Sequence, residues 1–71
     1  MTISKITLVK PLADYLINRI YEDDLPINAE TGRSYRDPNG DFQVDLCLET
    51  ENKQLIFDTI QEGINHIYYQ S

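Results

Sequence analysis

Phe42-Gln43-Val44-Asp45-Leu46-Cys47-Leu48-Glu49 decides the fold. Apolar residues at 42, 44, 46 and 48 alternate with Gln43, Asp45, Cys47 and Glu49. A period of two sustained over this stretch marks a strand buried on one face. Such a strand needs a layer over its apolar side and neighbours for its backbone hydrogen bonds. Immediately upstream, Asp37-Pro38-Asn39-Gly40 carries Asp first, Pro second and Gly last. That order suits a type I turn, with Gly40 free to take left-handed backbone. Ser34-Tyr35-Arg36 then reads as the other arm of a hairpin, and residues 28–34 (Asn-Ala-Glu-Thr-Gly-Arg-Ser) as a polar loop.

Outward from the hairpin, residues 2–9 are rich in β-branched side chains, and Ile6 and Leu8 alternate with Lys5 and Thr7, which predicts a short strand. The competing reading is a helix starting at Ser4, which would place Pro11 in a helix interior at a cost of about 3 kcal/mol. A strand to Val9 and a helix over 11–23, with Pro11 in its first turn, avoids that cost. Leu12, Leu16 and Ile20 form the buried stripe of this helix, flanked by Ala13 and Ile17. Glu22-Asp23-Asp24 follow, where acids oppose the helix dipole, and Leu25-Pro26-Ile27 ends it. After the hairpin, Thr50 reads as an N-cap and a last helix as spanning 51–69, with Ile56, Phe57, Ile60, Ile64 and Ile67 inward. Gly63 on that helix implies close backbone packing, since glycine there otherwise costs about 1 kcal/mol. The sum is a single α+β domain over residues 1–71 in the order βαββα. Two helices cover one face of a short sheet that contains an antiparallel hairpin.

Composition narrows the function classes. The chain has 71 residues, 41% hydrophobic and 25% charged, with twelve acids against six bases and a net charge of −6. Scattered lysines and arginines in an acidic chain argue against direct nucleic-acid binding and against an anionic membrane surface. No apolar run approaches the roughly 20 residues of a membrane span, and the first residues do not read as a secretory leader. With one cysteine and no internal disulfide, a cytoplasmic setting is expected. At this size a core is marginal, because ordering costs about 1.5 kcal/mol per residue. Disulfides and a metal cluster are both missing, which leaves regular packing or a partner, a homodimer included.

No catalytic, cofactor-binding or metal-binding set emerges. Cys47 sits among acids, not among the bases that would favour a reactive thiolate, and reads as structural. His66 is the only histidine and falls on the far side of the last helix, so a Cys47–His66 pair is not expected. Asp37-x-Asn39-x-Asp41 starts like a calcium loop, but the sixth and twelfth positions hold Phe42 and Leu48. The three glycines form no phosphate-cradling loop.

Surface composition carries what remains. There are five tyrosines, and Tyr68 and Tyr69 are adjacent, so at least one points away from the core. Leu55, Thr59, Glu62, His66 and Tyr69 share what reads as the outer face of the last helix, a mix typical of interface centres. Asp45 and Glu49 on the polar sheet face form a second candidate surface. Glu22, Asp23 and Asp24 form the only acidic run.

The element order resembles the layout of the DinI-like small acidic DNA-damage-response proteins. The corresponding stretches are Lys5-Ile6-Thr7-Leu8-Val9-Lys10, Leu16-Ile17-Asn18-Arg19-Ile20 and Thr50-Glu51-Asn52-Lys53-Gln54. The last helix departs from that layout, with Gly63, His66, Tyr68 and Tyr69 in place of a dense acidic run. The resemblance is one of layout, and no functional residue is carried over.

The function read from the sequence is a small acidic, non-enzymatic protein-binding module (a regulator, adaptor or inhibitor) whose partner presents a basic surface. Leu55, Glu62, His66 and Tyr69 would make the contact, with Asp45 and Glu49 second. One alternative is a nucleic-acid mimic, for instance phage-encoded, that blocks a basic DNA- or RNA-binding groove through Glu22, Asp23 and Asp24. The other is a small dimeric enzyme with an interfacial site.

Overall fold

Strand β3 (Phe42–Thr50) is the middle of a three-stranded antiparallel sheet in the computed structural model, which describes residues 2–69. It pairs on one side with β1 (Thr2–Val9), placing Leu46 opposite Ile6 and Val44 opposite Leu8. On the other side it pairs with β2 (Asn28–Arg36), placing Leu48 opposite Ala29. Helix α1 (Lys10–Glu22) links β1 to β2, and α2 (Lys53–Ile64) follows β3 and runs into a π-helical turn, Asn65–Tyr69. The order βαββα is as expected, and residues 2–9 are a strand. Pro11 lies in the first turn of α1, where its missing N–H leaves no carbonyl unpaired.

The alternation in β3 becomes a division between two layers. Val44, Leu46, Leu48 and Thr50 are buried, whereas Gln43, Asp45, Cys47 and Glu49 lie on the open face. Ala13, Leu16 and Ile20 of α1, Ile27 from the loop before β2, and Ile56 of α2 close over the inward set. Leu16, Leu48 and Ile56 are the largest fully buried side chains. Each such burial contributes roughly 1.5–3 kcal/mol. Among the described residues no helix is long and apolar enough to cross a membrane.

Residues 28–34, expected as a loop, belong to β2. This edge strand is polar and largely exposed, so it carries no alternation to read; β3 supplies its pairing. Its register shifts between Thr31 and Ser34, a bulge around Gly32 and Arg33. A Cβ at Gly32 would come within 3.2 Å of the Asp45 carbonyl oxygen.

The acids after α1 are better accommodated than their charge suggests. Arg19 holds Asp23 at 2.8 Å, and the Leu25 N–H donates to the Ile20 carbonyl at 3.0 Å, closing the helix end. That closure sets Asp24 at φ 51°, a left-handed conformation that costs a non-glycine residue about 1 kcal/mol.

Helix α2 begins later than expected. Asn52 is its N-cap, and Thr50 is the buried end of β3. The Thr50 hydroxyl donates to the Pro26 carbonyl (2.9 Å) and accepts from the Asn52 N–H (3.1 Å), tying the strand end to the loop before β2. The inward face of α2 is also rotated from the expected stripe. Ile56, Thr59 and Gly63 are buried, Ile60 and Ile64 half-buried, and Phe57 is 52% exposed. Thr59 can be buried because its hydroxyl donates back to the Leu55 carbonyl at 2.8 Å. Gly63 sets the rotation: a methyl there would lie 2.7 Å from Leu12 Cδ1 and 2.9 Å from Tyr15 Cδ1.

The β2–β3 turn forms as its residues require. The Gly40 N–H donates to the Asp37 carbonyl at 3.0 Å, with Gly40 at φ 89°. Asp37 Oδ1 accepts from the N–H groups of Asn39 and Asp41, and Oδ2 from Gln43 Nε2. The Asp41 N–H, first, and the Gln43 amide, second, hold the Asp37 carboxyl below its ordinary pKa.

Two predictions arise here. Gly63→Ala should gain about 1 kcal/mol of helix propensity but lose about 1–3 kcal/mol to overpacking. The expected net loss of roughly 1 kcal/mol should show in urea unfolding and shrink in a Leu12→Val background, which removes the nearest clashing atom. The Asp37 effect has a defined sign. A depressed folded pKa contributes stability above the unfolded value, near pH 4, and loses it as pH falls through the folded value. Asp37→Asn should therefore be less stable than wild type at neutral pH, with the gap closing as pH falls below about 4. Denaturant titrations across that range would refute this by showing a constant gap.

Candidate functional site

The flank of α2 expected to face outward is turned mainly toward α1. Leu55 is half-buried against the core and Thr59 is buried. Arg19 of α1 reaches Glu62 at 3.3 Å while also holding Asp23, so one guanidinium group clamps the helix pair. Arg19 NH2 serves both carboxylates, and Arg19 Nε is buried without a hydrogen-bond partner. The His66 ring lies against Tyr15, centroids 5.2 Å apart. Of the four residues expected to centre the contact, Tyr69 is fully available, at 77% exposure, and Leu55, Glu62 and His66 are committed in part to packing within the chain. The sequence placed all of them on one flank of α2 but not the direction in which that flank points.

The π-helical turn shifts the end of the helix. Its wider winding carries Tyr68 and Tyr69 outward together, at 56% and 77% exposure. Tyr68 joins Val9, Pro11, Asp41 and Phe42 around an open cleft of about 440 Å³. Phe42, expected in the core, is exposed at this rim, with the Arg36 guanidinium 5.7 Å from its ring centre. This end therefore gathers two exposed aromatic rings, Phe42 and Tyr68, and the Asp41 carboxylate from the β2–β3 turn and the π turn, beside Val9 and Pro11 of the β1–α1 junction, with Tyr69 exposed next to Tyr68 in the chain. The adjacency of Tyr68 and Tyr69 was the only sequence signal for it.

The open sheet face holds the second set. Asp45 accepts from the Thr7 hydroxyl at 2.8 Å and lies 3.9 Å from Arg33. Cys47 is half-buried, flanked across the strands by Lys5 and Glu30. Glu49 and Cys47 line a shallow hollow of about 420 Å³ with Tyr21 and Glu30. The sheet separates Cys47 from His66, so they are not brought together. The acidic run is divided as well: all three acids are exposed, but Asp23 is paired to Arg19. Among the described residues no three His, Cys, Asp or Glu side chains gather where they could hold a metal ion.

The chain matches no protein-family profile, and no curated protein or solved structure is significantly similar to it.

The Arg19 clamp predicts an asymmetry. Glu62→Gln removes one half-exposed ion pair and should cost less than about 1 kcal/mol. Arg19→Ala removes both pairs and the packing of the side-chain stem, and should cost visibly more. Equal losses for the two variants in thermal unfolding would show that the clamp is not shared.

Proposed function

We propose that this chain acts by binding another protein, without chemistry of its own, and that the end of the molecule carrying Tyr68, Tyr69 and Phe42 is the contact centre. The observation that carries this reading is the exposure of Phe42 and Tyr68 around one cleft of a small acidic fold, with Tyr69 exposed beside Tyr68 in the chain. Tyrosine supplies large, rigid contact area with a polar tip, which is why it recurs at binding centres. Asp41 at the rim and the net charge of −6 would steer the chain toward a basic surface and speed encounter more than they deepen affinity. Glu62, His66 and Leu55 would support the contact by fixing the helix from which the tyrosines project. Asp45 and Glu49 on the open sheet face remain a second candidate surface.

A photo-crosslinking side chain at position 39, exposed in the turn beside Asp41 and Phe42, should trap one discrete protein in the native host. Tyr68→Ala with Tyr69→Ala should abolish capture while leaving the unfolding midpoint almost unchanged, and added salt should weaken it. Capture that survives the double substitution would refute the assignment of this end.

A further inference from the structure

The two edges of the sheet differ. The β2 edge is interrupted by its bulge and carries Glu30, Arg33 and Arg36. Bulges and charges of this kind prevent another strand from adding. The β1 edge is less protected. It pairs with β3 without interruption from Thr2 to Val9, contains no proline and carries one charge, Lys5. Beside it lies a groove of about 330 Å³ between β1 and α2, whose lining is apolar (Ile3, Ile6, Ile56, Phe57 and Ile60) apart from Ser4 and the two lysines Lys5 and Lys53. Ile3 is 62% exposed and Phe57 52%. The groove has no carboxylate in its lining, in a chain with twelve acids.

We propose that this edge joins two copies of the chain, β1 pairing antiparallel with β1 of the second copy about a two-fold axis at Ile6, so that two three-stranded sheets become one. Charge selects the occupant. Two copies at −6 repel over most of their surfaces, and the acid-free groove is where they can approach with least opposition. Symmetry selects the register. A two-fold axis perpendicular to the sheet keeps side chains on their own face, so it must pass through a residue position. The two registers with most overlap are centred on Lys5 and on Ile6. The first sets Lys5 against its own copy, a like-charge pair that destabilises a sheet. The second sets Ile3 against Val9, Ser4 against Leu8, Lys5 against Thr7 and Ile6 against itself, with no opposed charges. Phe57 and Ile60 then meet the second copy above the joined strands, adding apolar area to a core that is small for an isolated chain.

The test is sedimentation of the full chain in reducing buffer over a dilution series, with circular dichroism and unfolding midpoints as controls. Wild type is expected to pass reversibly from dimer to monomer on dilution, and to associate more tightly as salt screens the net charge. Thr7→Lys places a lysine against Lys5 on both sides of the axis and should weaken the dimer about tenfold. Thr7 is exposed beside Asp45, so the fold should tolerate the change. Adding Lys5→Glu converts both like-charge pairs to opposite ones and should restore the dimer. Phe57→Asp, on the exposed flank of α2, should weaken it independently of register. A wild-type monomer at every concentration would overturn the proposal. So would a dimer indifferent to Thr7→Lys and Phe57→Asp, or a loss at Thr7→Lys that Lys5→Glu fails to restore. Failure here would leave the aromatic end as a partner site, because that reading rests on different residues.

Discussion

Everything in this fold depends on β3 being buried on one side only. As the middle strand it spends its backbone hydrogen bonds on both neighbours, and its inward side chains Val44, Leu46, Leu48 and Thr50 define the boundary between sheet and helix layers. A three-stranded sheet has too little width to bury a second face, so both helices close over the same side. The consequence is a polar open face and two sheet edges, from which the Asp45/Glu49 surface and the β1–α2 groove derive. Thr50 shows how tightly the arrangement is tied. Its buried hydroxyl satisfies a loop carbonyl and a backbone N–H at the point where strand gives way to helix, groups that would be costly to leave unpaired.

The second constraint is the contact between the helices. With no side chain at Gly63, α1 brings Leu12 and Tyr15 against the backbone of α2. The close approach fixes which flank of α2 is inside and so which residues are left over. Phe57 is pushed to the β1 side, and the flank carrying Glu62 and His66 meets Arg19 and Tyr15. The π turn then carries Tyr68 and Tyr69 away from the pair. A glycine that costs helix stability locally is offset by packing, and the packing positions the aromatic end.

This order of causes explains what was legible in the sequence. β3, the Asp37–Gly40 turn and α1 were readable because their signals are local: a period of two, a fixed turn grammar, a stripe at spacings of three and four. β2 was not, because its residues show no preference of their own and its structure is imposed by β3. The inward face of α2 was ambiguous because Ile56 and Phe57 are adjacent and either could lead the stripe. Gly63 gave a reason for close packing but not the rotation that follows from it. The outward residues therefore came out half right. Tyr69 was placed at the surface, Leu55 was not half-buried in that reading, and Phe42 could not be told from its neighbours because it obeys the alternation up to the point where the sheet ends.

The distribution of charge matters more than its total. Acids gather at the end of α1, on the open sheet face and at the β2–β3 turn, while the β1–α2 groove has none in its lining. At physiological salt the repulsion between exposed charges fades within about 8 Å, so the −6 acts as a long-range filter more than as a contact force. It favours approach by a basic partner wherever the acids lie, and it permits approach by a second copy only where they do not. A basic partner and a second copy should therefore respond to salt with opposite sign, one weakening and the other tightening as the field is screened. The same residues thus separate two kinds of association on one small surface, and the opposed salt dependence tells them apart without knowing the partner.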